Sequence, residues 1–117
     1  MFDAKRIQAQ LMKGTLPLLV LATLRDGELH GYEIVRRIRE RSSGAFTPSE
    51  GSLYPTLHRL EAEGALEAAW RAGDGGPRRR YYRLTRGGLA ALERAEREWT
   101  MFAGGVRRVA FGEAFDA

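Results

Sequence analysis

The chain has 117 residues, a mass of 13.1 kDa and no cysteine. That length fits one domain able to bury a sizeable core, and the missing thiols exclude disulfides, thiolate zinc sites and thiol catalysis. Nineteen Lys and Arg against 15 Asp and Glu leave a net charge of +4, with a pI near 10.0. This balance favours nucleic acid or an anionic surface as partner without choosing between them.

Position along the chain says more than the total. The window Arg71–Arg83 holds five arginines (Arg71, Arg78, Arg79, Arg80 and Arg83) and one acid, Asp74, and so accounts for the whole +4. The longest apolar run, Leu16 to Leu24, is nine residues, against the roughly 20 that a spanning helix needs. It lacks a convincing small-residue cleavage site after it, so a buried helix of a cytoplasmic protein is expected, with no membrane partner.

The first predicted helix covers residues 8–25, apolar on almost all sides in its second half, as in a core or interface helix. Pro17 is accommodated if a new first turn begins near Thr15. A second helix is expected over 31–42, burying Ile34, Val35 and Ile38 while Arg36, Arg37, Glu40 and Arg41 project outward. His30 stands at its start as a structural residue.

The third helix has the clearest start signal. Thr47-Pro48-Ser49-Glu50 reads as a capping box, with Thr47 as N-cap, Pro48 first in the helix and Glu50 third. Leu53, Leu57 and Leu60 define its buried stripe, and Gly51, Pro55, His58 and Ala62 lie opposite, flanked by Ser52 and Arg59. Pro55 is unusual inside a helix, but the carbonyl it crowds belongs to Gly51, whose backbone can adjust.

Two strands follow. Leu66, Ala68 and Trp70 alternate with Glu67, Ala69 and Arg71; Arg80, Tyr82 and Leu84 alternate with Arg79, Tyr81 and Arg83. The connection, rich in glycine, is a projecting loop rather than a tight turn. Of Tyr81 and Tyr82, one is expected buried and one half-exposed. Thr85 can cap a last helix to about residue 111, in which Leu92, Trp99 and Val106, and Ala95, Phe102 and Val109, recur as an a/d seam. Gly104-Gly105 interrupts that seam at about 1 kcal/mol per glycine relative to alanine, either to let helices approach or to mark a kink.

Helix, helix, helix, strand, basic loop, strand, helix is the order of an α+β, mostly helical winged helix-turn-helix with an extra C-terminal helix. Residues 1–84 would form the winged helix-turn-helix DNA-binding part and 85–117 the last helix and tail. A helix enters the major groove by its N-terminal residues, which here are Thr47, Ser49, Gly51, Ser52 and Tyr54. From helical angle alone, Tyr54 fits the groove face and the core edge equally. His58 and Arg59 are further candidates, and an arginine-bearing wing suits phosphates or a narrow minor groove. Nothing points to an enzyme, a cofactor or a metal: the two histidines lack ligand-spaced partners, Glu61 and Glu63 diverge by about 200° around their helix, and Gly73–Gly76 lacks a phosphate-loop context.

The segments LHGYEI (Leu29–Ile34), GSLYPTLHRLEAEG (Gly51–Gly64) and RRRYYRLTRGG (Arg78–Gly88) together resemble the PadR family of bacterial transcriptional regulators, over about residues 10–110. The single C-terminal helix resembles the smaller subfamily. The resemblance implies a homodimer joined through the first and last helices, through Leu18 and Leu21 and the seam residues Leu92, Ala95, Trp99, Phe102, Val106 and Val109. It also implies repression at an inverted-repeat operator of double-stranded DNA. It assigns Ser52 and Tyr54 to DNA contact and Arg78–Arg80 to the basic wing. It further implies that a small flat aromatic effector could lodge against Trp99 and Phe102 at the dimer interface. The alternative is a winged-helix module for protein–protein assembly without an operator.

Overall fold

A computed structural model describes residues 3–72 and 75–113; Gly73 and Asp74 of the expected loop lie outside the described residues. Helix α1 (Ala4–Thr23) leads through a 3₁₀ turn (Leu24–Asp26) to a two-residue strand β1 (Leu29–His30) and helix α2 (Gly31–Arg41). Helix α3 (Glu50–Ala62), the hairpin β2 (Leu66–Ala72) and β3 (Arg78–Leu84), and helix α4 (Arg86–Phe111) complete the chain. The architecture is the expected mostly helical α+β winged helix-turn-helix with a long last helix.

The core forms where the helical stripes meet the base of the hairpin. Leu16 and Val20 of α1 and Leu24 of the following 3₁₀ turn recur at four-residue intervals and pack with Ile34 and Ile38 of α2 and with Leu53, Leu57 and Leu60 of α3. Leu66, Tyr82 and Leu92 close it from the strands and α4. Burying each such leucine is worth about 1.5–3 kcal/mol. By length and composition, Lys5–Asp26 would suffice to cross a bilayer. In the fold, the inward side of that helix is instead the spine of this core.

Three expectations are corrected. Helix α1 begins earlier than expected and runs through Pro17 without restarting at Thr15; the Thr15 hydroxyl donates to the Leu11 carbonyl at 2.8 Å and stays part of the same helix. Helix α3 is capped by Ser49 rather than Thr47: the Ser49 Oγ accepts from the Ser52 amide at 3.2 Å, and Glu50 is the first helical residue, not the third. Pro48 is buried outside the helix, and that packing outweighs its preference for a first helical position. Leu21 and Leu92, expected at a dimer interface, are 3% and 0% exposed in the single chain, so both are core residues. Strand β1 was not anticipated.

Strand β3 is central in the sheet order β1-β3-β2. Antiparallel pairing sets Leu66 opposite Leu84, Ala68 opposite Tyr82 and Trp70 opposite Arg80, all on one face. Strand β1 pairs Leu29 with Tyr82 and His30 with Tyr81, tying the start of α2 to the wing. Tyr82 is 1% exposed while Tyr81 is half-buried, the expected split.

Helix α4 is anchored at one end. The Thr85 hydroxyl donates to the Gly64 carbonyl at 2.6 Å and accepts from the Gly88 amide at 2.9 Å, and the Thr85 amide donates to the Ala65 carbonyl at 3.1 Å. Gly88 lies so close that a β-carbon there would sit 2.0 Å from the Ala65 carbonyl oxygen. Beyond this anchor α4 continues unbroken through Gly104-Gly105, and Gly104 is buried. The molecule measures 53 × 34 × 23 Å with a radius of gyration of 16.0 Å. A compact chain of this length would have about 13 Å. The excess reflects a helix that extends past its own domain.

Candidate nucleic-acid interface

The exposed face of α3 is small and hydroxylic. Ser49 and Ser52 hold each other, the Ser49 hydroxyl donating to the Ser52 Oγ at 3.2 Å in addition to the cap. Both are exposed, as are Gly51, His58 and Arg59, the last 4.0 Å from Glu63. A β-carbon on Gly51 would meet nothing nearer than the Ser49 hydroxyl at 3.8 Å. The chain itself therefore leaves this position open to a close-approaching partner. Thr47 is exposed, but it stands before the helix rather than capping it.

Tyr54 does two things at once. It is 38% exposed on the α3 surface, yet its ring rests on the first residue of α2. A β-carbon on Gly31 would lie 3.0 Å from the Tyr54 hydroxyl and 3.2 Å from its ring. A side chain at Gly31 would require the Tyr54 ring to give way by a few tenths of an ångström.

The cluster of arginines resolves into two kinds. Arg71 pairs with Glu28 at 2.9 Å, Arg83 with Glu67, and Arg80 with Glu61 at 2.7 Å. Arg80 was expected on a phosphate; it is half-buried on the inner face of the hairpin, where its charge is met by Glu61. The wing thus keeps Arg78, which has no ion-pair partner among the described residues, and Arg79, which projects beside His30.

His30 caps α2 through a reciprocal capping box. Its Nδ1 accepts from the Glu33 amide at 3.3 Å, and the Glu33 carboxylate accepts from the His30 amide at 3.2 Å. An accepting Nδ1 requires the proton on Nε2, so the Arg79 guanidinium 3.5 Å away is a neighbour rather than a donor. Burial lowers the His30 pKa from its ordinary value; Arg79 and Arg36 push the same way against Glu33. Burial likewise raises that of the Tyr82 phenol.

Around His30 the structure brings Arg79 of the sequence-based site together with Tyr32, Arg36 and Tyr81, which were not part of it. Tyr32, Arg36, Arg79 and Tyr81 line an open concavity of about 330 Å³ between α2 and the wing. Tyr32 and Arg36 are four apart on the outward face of α2, a spacing visible in the sequence. Their closeness to the wing follows from β1, which was not. Among the described residues, no group of three or more His, Asp or Glu could hold a metal ion.

A second surface is apolar. Leu11, Leu18, Trp99, Phe102 and Val106 line an open groove of about 1040 Å³ between α1 and α4. Trp99 is 48% and Phe102 66% exposed, Ala95 and Leu18 are half-buried, and Val109 is 90% exposed.

A family model described as the transcriptional regulator PadR-like family matches residues 20–94. Transcriptional regulator Rv3488 of Mycobacterium tuberculosis is 41% identical over 83 residues, covering 71% of this chain and 74% of that protein. The crystal structure of a PadR family transcriptional regulator from Eggerthella lenta superposes with a TM-score of 0.78 at 32% identity, covering 91% of this chain and 90% of that one. Bacillus subtilis PadR, solved in complex with operator DNA, superposes with a TM-score of 0.60 at 28% identity, covering 67% of this chain and 44% of that one. The chain belongs to the PadR-like family of transcriptional regulators, not to a family of enzymes.

Proposed function

We propose that this regulator binds an inverted-repeat operator as a homodimer and represses transcription in the cytoplasm. The observation that carries the reading is the open hydroxyl-and-glycine face of α3, Ser49 to Tyr54, flanked by a wing whose outermost cations, Arg78 and Arg79, are free for phosphate. Thr47, His58 and Arg59 extend the contact along the same side. Residues 1–84 read the DNA, and α4 with the tail to residue 117 joins the two copies. Two-fold symmetry then sets half-sites about 10 bp, or a multiple, apart.

The dimer reading is supported by the apolar face that one chain leaves uncovered. Leu18, Ala95, Trp99, Phe102, Val106 and Val109 lie on it, and an isolated soluble domain rarely exposes so continuous a surface. Trp99 and Phe102 also suit a flat aromatic effector, which would displace the operator by changing the separation of the two α3 helices.

An electrophoretic shift with the DNA upstream of the chain's own gene, beside a random duplex, tests the operator. Selective retardation at a 2:1 protein-to-site ratio is expected. Equal affinity for both duplexes, or none, would leave the protein–protein module as the reading. In a Trp70→Phe background, Trp99 is the only tryptophan. Its emission should change with a planar aromatic dye, and an unchanged spectrum across a dye panel refutes the effector.

A further inference from the structure

The outer half of the hairpin has little beneath it. Core packing ends at Tyr82 and Ala68; beyond them Ala69–Ala72, Arg78 and Arg79 are exposed. A two-stranded ribbon without a packed face is marginally stable alone. The base of the hairpin is fixed by the core and by its pairing with β1, so the position of the outer half relative to α3 depends on a small number of side-chain ties.

Arg80 supplies the tie to α3. The register puts it opposite Trp70, and its guanidinium lies 6.0 Å from the centroid of that indole ring. Its Nη2 donates to Glu61 Oε2 at 2.7 Å. Its Nε is buried with no acceptor among the described residues, a cost that the Glu61 pair and the indole contact must offset. Glu61 follows the core residue Leu60 near the end of α3, and the ion pair is only about one third exposed, 36% at Arg80 and 31% at Glu61. The other side-chain ties from this window to the body of the domain, Arg71 to Glu28 and Arg79 and Tyr81 to His30, lead to β1 and the segment before it rather than to α3.

We infer that Glu61, Arg80 and Trp70 form a strut that fixes the wing at a set angle to α3, making Arg80 a positioning residue rather than a phosphate ligand. The strut sets the spacing between the groove-facing residues Ser49–Tyr54 and the phosphate-facing pair Arg78 and Arg79. Only a duplex whose groove and backbone match that spacing engages both. The strut therefore contributes to discrimination between sequences and not to the number of phosphates neutralised. This inference rests on the DNA-binding reading above.

The test compares the full-length protein with Arg80→Met, Trp70→Ala and Glu61→Gln. Each is titrated by fluorescence anisotropy against a duplex selected from a random pool and a scrambled duplex of equal length, at three salt concentrations. For all three variants the expected result is a loss of about tenfold on the selected duplex. Affinity for the scrambled duplex and the salt slope should stay as in the parent. A phosphate role for Arg80 predicts otherwise: Arg80→Met would flatten the slope by about 1.8 for two wings and weaken both duplexes alike. Glu61→Gln separates the readings even where Arg80→Met fails to fold. Removing an acid beside a phosphate-binding arginine would tighten binding, whereas breaking the strut weakens it on the selected duplex alone. Variants that match the parent overturn the strut. A parent that selects no duplex overturns the DNA reading, and the strut with it.

Discussion

Neutralising Arg78 and Arg79 together should remove the wing's contribution to the salt dependence of DNA binding. Counted from the sequence, three wing arginines in each of two copies would give six phosphate contacts. The structure pairs Arg80 with Glu61, which leaves two candidate contacts per wing and four in the proposed dimer. At about 0.9 per phosphate, log affinity against log salt changes slope by about 3.6 between the parent and Arg78→Ala/Arg79→Ala. Between 50 and 200 mM salt, a fourfold change, that slope is worth about 150-fold, where six contacts would give over 1000-fold. Anisotropy titrations at about 50, 100 and 200 mM salt on one duplex measure it directly. The loss should fall on all sequences, since phosphates carry no base identity. An unchanged slope in the double variant would refute the wing assignment. A further flattening of about 1.8 on adding Arg80→Met would restore the six-contact count.

Two other substitutions probe how the site is held. Gly88→Ala forces a methyl against the Ala65 carbonyl oxygen at 2.0 Å and should cost about 3 kcal/mol, seen as a melting temperature lowered by more than about 8 °C. A Gly88→Ala melt within about 2 °C of the parent would contradict the close approach. Gly105→Ala, with nothing within 4 Å in the single chain, is the control that should not destabilise it. For His30 the folded pKa lies below the unfolded 6.5, so between the two values the unfolded chain binds more protons. The associated stability is complete above 6.5 and is lost as pH falls through that window. His30→Asn keeps an acceptor at the α2 cap without a titrating ring. Its melting temperature should drop less than the parent's between about pH 7.5 and about pH 5.5. Equal drops would show that other groups set the acid response.

The sequence was most legible where a pattern repeats over several turns. Leu53, Leu57 and Leu60 are the buried stripe of α3, and the alternation around Tyr82 located both strands of the hairpin. Where two local signals overlap, tertiary packing decided between them. Thr47 and Ser49 could each begin a helix, and burial of Pro48 selected Ser49. Strand β1 is two residues long and exists only because β3 offers it an edge, so no periodicity could announce it. The site failed at Arg80 for a different reason. Its placement on the Tyr82 face was readable from the alternation, but an arginine run invites a reading by charge. The carboxylate that meets Arg80 is 19 positions away on another element. Leu92 misled in the same way: a heptad position describes a face, and the neighbour covering that face can be the chain's own core.

The staple at Thr85 leaves no slack between the wing and the last helix. Gly64 and Ala65, where α3 gives way to β2, are bonded to Thr85, and Gly88 is pressed onto the same carbonyl. Helix α4 therefore leaves this junction as one unbroken helix, 26 residues and about 39 Å long. A tilt of about 5° at its base corresponds to about 1.7 Å at Trp99, halfway along, and about 3.4 Å at its far end. In the proposed dimer, one unbroken helix stapled at its base would relate the packing of the apolar groove to the angle of α3 in each copy.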